Sequence, residues 1–305
     1  MSHAAAVILL SAQVAPAQEI RVTTLGTGTP GLSIERTGPA TLIEAGELNL
    51  LFDAGRAASV RLSQAGVGIG ELDAVFITHY HSDHIGGLSD IWLTGYMAPT
   101  FRQTALPIYG PTGLGRLTGG LEEAYAVDRD QRLREYSLLG LPMAEAAAAF
   151  QSHEFESEGV VFDQGGVTVT AFAVVHGEGP AFGYRVDYAG RSVLVSGDTS
   201  FSENLISHAS GVDVIVHEAM LISKESLRTP VWQGIMSLHT PPADLARIFK
   251  RAAPRLAVLH HVGLIGGVTL NDLVEQTQAG YSGELLVAED LTSIVIGDEI
   301  SVNRR

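Results

Sequence analysis

The sequence predicts a mixed α/β fold. Three observations lead there: apolar runs of strand length alternate with helix-forming segments along the chain, 46% of the 305 residues are hydrophobic against 17% charged, and no repeat or low-complexity stretch interrupts the pattern. Such a composition can bury a large core. In order, Ile20 to Leu25, Thr41 to Glu44, Asn49 to Asp53 and Ala74 to Thr78 read as strands, with a helix over Ala57 to Ala65 before the last. Leu106 to Tyr109 reads as a further strand. Leu121 to Tyr136 and Met143 to Phe150 read as helices, because Ala, Leu and Glu dominate them. The second half repeats the logic, with strands at Val167 to Val174, Phe182 to Val186, Arg191 to Ser196 and Val212 to His217. A helix opened by proline in its first turn follows over Pro242 to Ala253. Then come a strand at Arg255 to His260, a helix over Leu270 to Ala279, and closing strands at Glu284 to Val287 and Ser293 to Ile296.

The chemistry concentrates in His79-Tyr80-His81-Ser82-Asp83-His84, directly after the apolar run Ala74 to Thr78. In a strand or the loop leaving it, His79 and His81 project to the same side, so two nitrogens reach one ion, while Asp83 and His84 turn towards a second position. Neutral imidazole and carboxylate suit Zn²⁺ and, less selectively, Mn²⁺ or Fe²⁺. The chain has no cysteine, which excludes thiolate ligands and a cysteine nucleophile.

This His-x-His-x-Asp-His string resembles the signature of the metallo-β-lactamase superfamily. The resemblance extends from about Ile20 to Ile296 and implies an αββα sandwich, two mixed β-sheets flanked by helices. It further implies that His176 in Val174-Val175-His176-Gly177 is the third histidine and that Asp198 in Ser196-Gly197-Asp198-Thr199 is a carboxylate bridging two metals. The last histidine is His261 or His260; similar sequences place it about 22 positions after a His-Ser/Thr pair, here His239-Thr240, which favours His261 and keeps His260 as fallback. Strand periodicity alone does not choose between them, since strands of this kind are covered on both faces. Val216-His217-Glu218-Ala219 and Leu238-His239-Thr240 look like the accessory motifs of ribonuclease Z-like and arylsulfatase-like members, with His217 left open between a structural and a functional role. Asp53, ending its strand, is similar to the family's structural aspartate, which orients the metal-binding loop. The implied ligands are therefore His79, His81, Asp83, His84, His176, Asp198 and His261, with Asp83, His239 and Glu218 as catalytic groups.

The Gly26-x-Gly28-x-x-Gly31 spacing also fits a dinucleotide-binding fingerprint. That reading fails, because Pro30 intervenes and the residues after Gly31 show no helical apolar period. Trp92, Tyr96, Phe201, Trp232 and Met236 are read first as core and second as the mouth of a substrate site.

Ligands spread from His79 to His261 must converge, so residues 18–305 are expected to form one domain. Ala4 to Leu10 followed by Ala15-Pro16-Ala17 resembles the apolar stretch and cleavage site of a signal peptide over residues 1–17, without its usual basic start. The expected location is periplasmic or secreted, otherwise cytoplasmic. No apolar run is long enough to span a bilayer.

The resemblance implies a hydrolase with two zinc ions per chain, in which hydroxide bridging the metals attacks an ester. Nineteen Lys and Arg against 34 Asp and Glu give a formal charge of −15, with no basic cluster. Polyanions are held mainly by such clusters, so no nucleic-acid partner is expected. Ribonuclease Z also carries a long basic arm between its third histidine and bridging aspartate, where only 21 residues separate His176 from Asp198. The expected substrate is a small-molecule ester, whether aryl sulfate, phosphodiester, carboxylic ester or lactone, and a homodimer is left open. The alternatives are a ribonuclease Z-type phosphodiesterase acting on RNA and a metal-binding protein without catalysis.

Overall fold

The computed structural model describes residues 18–97, 102–141 and 143–304. The leader-like segment 1–17 lies outside the described residues. The described strands are β1 (Ile20–Gly26), β2 (Ala40–Ala45), β3 (Leu48–Phe52), β4 (Ala74–Phe76), β5 (Leu106–Pro111), β6 (Phe150–Phe155), β7 (Gly159–Gln164), β8 (Val167–Ala173), β9 (Phe182–Tyr188), β10 (Arg191–Val195), β11 (Val214–Ile222), β12 (Leu256–Ile265), β13 (Leu285–Val287), β14 (Thr292–Ile296) and β15 (Ile300–Asn303). The helices are α1 (Ala58–Ala65), α2 (Ser82–Ile85), α3 (Leu88–Tyr96), α4 (Leu114–Ala124), α5 (Ala126–Leu139), α6 (Glu203–Ala209), α7 (Pro230–Met236), α8 (Pro242–Ala252) and α9 (Leu270–Gln278).

Two sheets form, in the orders β15-β14-β1-β2-β3-β4-β5-β6 and β13-β12-β11-β10-β9-β8-β7. Both mix parallel and antiparallel pairs: β3, β4, β5 and β6 run parallel in the first, and β10, β11, β12 and β13 in the second. Alternation along the strands decides which residues meet between the sheets. Ile20, Val22, Phe52 and Phe76 of one sheet pack there against Tyr184, Val186, Val193 and Val258 of the other. The opposite faces take helices. Leu62, Ile91, Trp92 and Leu114 cover the first sheet, and Leu205, Leu245, Phe249 and Leu273 cover the second. The result is the αββα sandwich.

The expected strands appear, most within a residue or two of their ends, but other segments differ. Met143 to Phe150 holds only a 3₁₀ turn, Glu145–Ala148, before β6 begins at Phe150. Of that segment only Phe150 joins the sheet, pairing parallel with Leu106 of β5, and helix propensity is a weak prior where the chain runs into a strand. The expected helix over Leu121 to Tyr136 is two helices meeting at Tyr125. The first buries Leu114 and Thr118, while no residue of α5 is buried. Trp92 and Tyr96 are core, fully enclosed under the first sheet.

Candidate metal centre and cleft

The donor residues follow strand ends that gather at one edge of the sandwich. His79 to His84 leave β4, His176 follows β8, Asp198 follows β10, and His261 lies within β12. The loop after β4 is fixed from behind. Asp53, held at a φ of 58°, accepts hydrogen bonds from Thr78 N at 2.8 Å and Thr78 Oγ1 at 2.9 Å, and its Oδ2 lies 2.7 Å from His84 Nδ1. Ala54 N donates to His84 O at 2.7 Å. Gly38 and Gly55 let two backbones cross beneath this loop. A Cβ on Gly55 would lie 2.3 Å from Gly38 C and 2.6 Å from Asp83 O, so no larger residue fits. From the second sheet, Tyr184 Oη donates to Ile77 O at 2.6 Å and Phe182 N to Thr78 O at 3.0 Å, which registers the two layers at the site.

Two groups of donors result. His79, His81, His176 and Asp198 bring ligand atoms within 4.8 Å of one another, and so do Asp83, His84 and His261. His81 Nδ1 lies 3.1 Å from both His79 Nε2 and His176 Nε2. A tetrahedral ion with bonds of about 2.0–2.1 Å has ligand-to-ligand edges of roughly 3.3–3.4 Å, so this spacing suits zinc-like coordination. Asp198 stands between the groups, with Oδ1 3.4 Å from His84 Nε2 and Oδ2 3.7 Å from His176 Nε2 and 3.4 Å from His261 Nε2. Buried atoms with no hydrogen-bond partner face this space, among them His84 Nε2 and Asp198 Oδ1. Burying such groups unsatisfied is costly, and a cation satisfies them.

The electrostatics agree with ligation. Burial, then the neighbouring His84, holds His79 far below the usual imidazole range; burial also lowers His176. Both are therefore neutral, the form that binds metal. Burial alone would lower His84 too, but Asp198 and Asp53 outweigh it and raise the group well above its ordinary value. Burial favours the neutral acid at Asp198, yet His261, His84 and His79 hold it well below the carboxylate range. His176 Nδ1 lies 2.9 Å from Leu238 O, which fixes Nε2 as the nitrogen facing the cluster.

The adjacent histidines separate because of a β-bulge. Glu218 of β11 pairs with His260 and Ala219 with Val262, so His261 is the extra residue, at a φ of 46°. The bulge turns its Nε2 to within 3.2 Å of Asp83 Oδ2. His260 lies outside both donor groups, and burial pushes it down to about 3. His217 also lies outside. It is fully buried with its ring edge-on to Phe249, its Nδ1 2.7 Å from Glu218 O, and burial lowers it to about 4.

His239 and Glu218 sit beside the cluster. His239 Nδ1 is 3.4 Å from Glu218 Oε1, and its ring centroid is 5.2 Å from that of His176. Glu218 Oε1 also accepts from Thr240 N at 2.8 Å. Burial lifts the Glu218 carboxyl, with His239 opposing it. Burial acts against charge on His239 as well, but Glu218 outweighs it and raises the imidazole above its ordinary range.

Above the donors opens a cleft of about 730 Å³, lined by His81, Asp83, His176, Asp198, His239 and His261 on its floor. Trp232 lines it, while Phe201 packs against the helices of the second sheet with Arg247 stacked 4.0 Å over its ring. Met236 is partly buried in α7 and is not among the residues lining the cleft. Three elements of the site carry no sequence signal. Asp290 accepts Thr27 N and Oγ1 through one oxygen and Thr37 N and Oγ1 through the other, and so shapes the loop at the cleft rim from more than 250 positions away. The Leu238 carbonyl is a backbone group. Arg36 reaches the cleft wall through a loop without regular structure.

Such a fold around such a cleft floor is that of a metallo-hydrolase. The beta-lactamase superfamily domain matches residues 48–262, and the chain belongs to this superfamily, in its ribonuclease Z-like branch. It is 33% identical over 246 residues to a ribonuclease Z of Mycobacterium sp. (strain KMS), a match covering 79% of this chain and 84% of that one. In fold it is similar to the metallo-beta-lactamase fold protein YhfI from Bacillus subtilis, with a TM-score of 0.69 and 20% identity, covering 91% of this chain and 100% of the other. Human tRNase Z, short form, superposes with a TM-score of 0.64 at 24% identity, covering 91% and 98%. The protein is thus a hydrolase of ester bonds.

These relatives correct one expectation. A small-molecule ester substrate with no nucleic-acid partner conflicts with relatives that are ribonucleases. A charge of −15 over the whole chain does not exclude RNA, because a phosphate at a metal centre responds to the local field, which bound cations dominate.

Proposed function

We propose that the chain, as one catalytic unit over residues 18–305, is a two-zinc phosphodiesterase of the ribonuclease Z type that cleaves RNA. The observation that carries the reading is a single carboxylate, Asp198, set between two donor groups at the floor of a cleft. The 33% identity to a ribonuclease Z supports RNA as the substrate.

In this reading His79, His81 and His176 would hold one ion, Asp83, His84 and His261 the other, and Asp198 would serve both. When bound, the ions supply Lewis acidity, bringing the pKa of water towards neutrality and taking up charge on a phosphoryl oxygen. Asp83 orients the attacking water with its carboxylate. Glu218 holds the Nδ1 side of His239 and favours its protonated form, so Nε2 donates a proton to the departing ribose oxygen. Leu238 and Asp53 keep the ligand imidazoles turned with the correct nitrogen forward.

The experiment is a panel at matched zinc loading: an RNA oligonucleotide with a single-stranded 3′ extension, bis-p-nitrophenyl phosphate, p-nitrophenyl sulfate and a chromogenic lactone. Phosphodiesters are expected to turn over, with RNA preferred in kcat/KM. Preference for the sulfate or lactone contradicts the reading.

Two predictions arise from the side chains. His261→Ala is expected to bind one zinc fewer by atomic emission, while His260→Ala keeps the wild-type stoichiometry; the reverse pattern transfers the role to His260. His239→Ala is expected to keep both ions and its fold, yet lower kcat by about 10²-fold, the usual size of a lost acid. The defect shrinks for p-nitrophenyl esters, whose leaving group departs unaided. Removing the nearby anion lowers the His239 pKa whatever ions are bound, so Glu218→Gln moves the alkaline fall of the rate profile to lower pH. An unmoved limb removes His239 as the acid.

A further inference from the structure

The cleft walls above the donor floor are largely apolar. Met220, Trp232, Ile235, Val262, Leu264 and Leu270 form an apolar wall drawn from β11, α7, β12 and α9. Among the described residues Arg36 is the one Lys or Arg that lines it. Its Nη1 donates to Thr27 Oγ1 at 2.9 Å and to Ala288 O at 2.8 Å, and among the described residues no protein acceptor is found for its Nε or Nη2. Burial lowers its pKa, the nearby Asp290 and Glu289 carboxylates oppose that shift, and the guanidinium stays a cation.

Trp232 is the unusual member. The chain has two tryptophans. Trp92 is fully buried and touches Tyr96, Tyr125 and Phe150, as a core ring does. Trp232 is only partly buried, on a helix with no buried residue, and no described aromatic ring or hydrogen-bond acceptor engages it. A large indole left without a ring partner on the wall of a cleft offers a stacking face.

We infer that this cleft holds one unpaired nucleotide of the RNA, its base against Trp232 and its phosphate drawn by Arg36. The inference rests on the reading of the chain as an RNA phosphodiesterase and names what that site selects: a single-stranded nucleotide beside the scissile bond, rather than the body of a folded RNA. The cleft volume of about 730 Å³ falls in the range of sites that enclose one small-molecule-sized group. Apolar walls suit a base, whose faces stack without regard to sequence, and one guanidinium suits one phosphate.

The first test is fluorescence of the zinc-loaded protein titrated with adenosine monophosphate, adenosine and ribose 5-phosphate. Trp92 is enclosed, so quenching reports Trp232. Adenosine monophosphate is expected to quench saturably and more tightly than adenosine, ribose 5-phosphate not at all, and Trp232→Phe to lose the signal. Arg36→Gln is expected to erase the preference for the monophosphate over adenosine; an unchanged preference removes Arg36 from the subsite. Equal quenching by the ribose phosphate, or none by the nucleotide, overturns the inference.

The second test compares cleavage of an RNA with bases flanking the scissile bond and of one with abasic sugars there. The wild type is expected to favour the first by about 10-fold in kcat/KM, the scale of one stacked base. Trp232→Leu, apolar but without a π face, is expected to abolish that ratio and Trp232→Phe to retain most of it. RNA cleaved without any base preference overturns the inference and leaves the phosphodiesterase reading standing. No RNA cleavage with nucleotide quenching intact overturns the RNA reading and leaves the nucleotide subsite standing.

Discussion

Asp198→Ala is expected to lose metal from both positions and to lower phosphodiester hydrolysis by at least about 10³-fold. Removing one charge-stabilising donor from an active site typically costs about 10²–10³-fold. Asp198 does more than one donor, since Oδ1 faces His84 while Oδ2 faces His176 and His261. It is also the anion that offsets the clustered imidazoles, and its carboxyl is held well below the ordinary range by His261, His84 and His79 against the cost of burial. Without it, cations brought into either group meet mostly neutral nitrogens. Metal content by atomic emission and rate on bis-p-nitrophenyl phosphate check this together. Two ions per chain retained in the variant would mean that each donor group binds without the shared carboxylate.

Asp53→Ala is expected to destabilise the protein by about 3–5 kcal/mol in urea unfolding, the usual cost of removing one partner from a buried charged pair. Three groups lose their acceptor at once: Thr78 N, Thr78 Oγ1 and His84 Nδ1. The left-handed backbone at position 53 adds to the cost, because alanine lacks the side-chain bonds that hold aspartate there. Metal affinity is expected to fall by about 10- to 100-fold, as when other groups that orient a ligand histidine are lost. Asp53→Asn separates the two effects. An amide retains an acceptor for Thr78, so stability recovers in part. Its NH₂, however, placed against His84 Nδ1, favours a hydrogen on Nε2, the nitrogen that faces Asp198. Metal affinity is thus expected to stay low in Asp53→Asn while stability improves. Recovery of both together would show that Asp53 acts only as a structural brace.

Much of this was legible in the sequence because the chemistry is local. His79, His81, Asp83 and His84 occupy six positions after an apolar strand, and the structure keeps them on the loop and the single turn of α2 that leave β4. His261 was not legible from periodicity. A regular strand would send it to the face opposite His260, and only the bulge against Glu218 and Ala219 decides where its imidazole goes. Asp290 and the Leu238 carbonyl were invisible for a different reason, since one acts on loops far away in sequence and the other is a backbone atom that any residue supplies. The strand Phe150–Phe155 was not anticipated, and its first residue was read as the end of a helix, because its partner strand, not its own residues, makes it extended. The misjudged substrate class has the same origin: a chain-wide charge says little about one cleft.

The most direct measurement is RNA cleavage by metal-free protein as zinc is added in known equivalents. The rate on an RNA with a single-stranded 3′ extension is predicted to rise to a plateau at two ions per chain and to stay at background for Asp198→Ala. A plateau at one ion, or two ions bound with no cleavage of the RNA, would contradict the account.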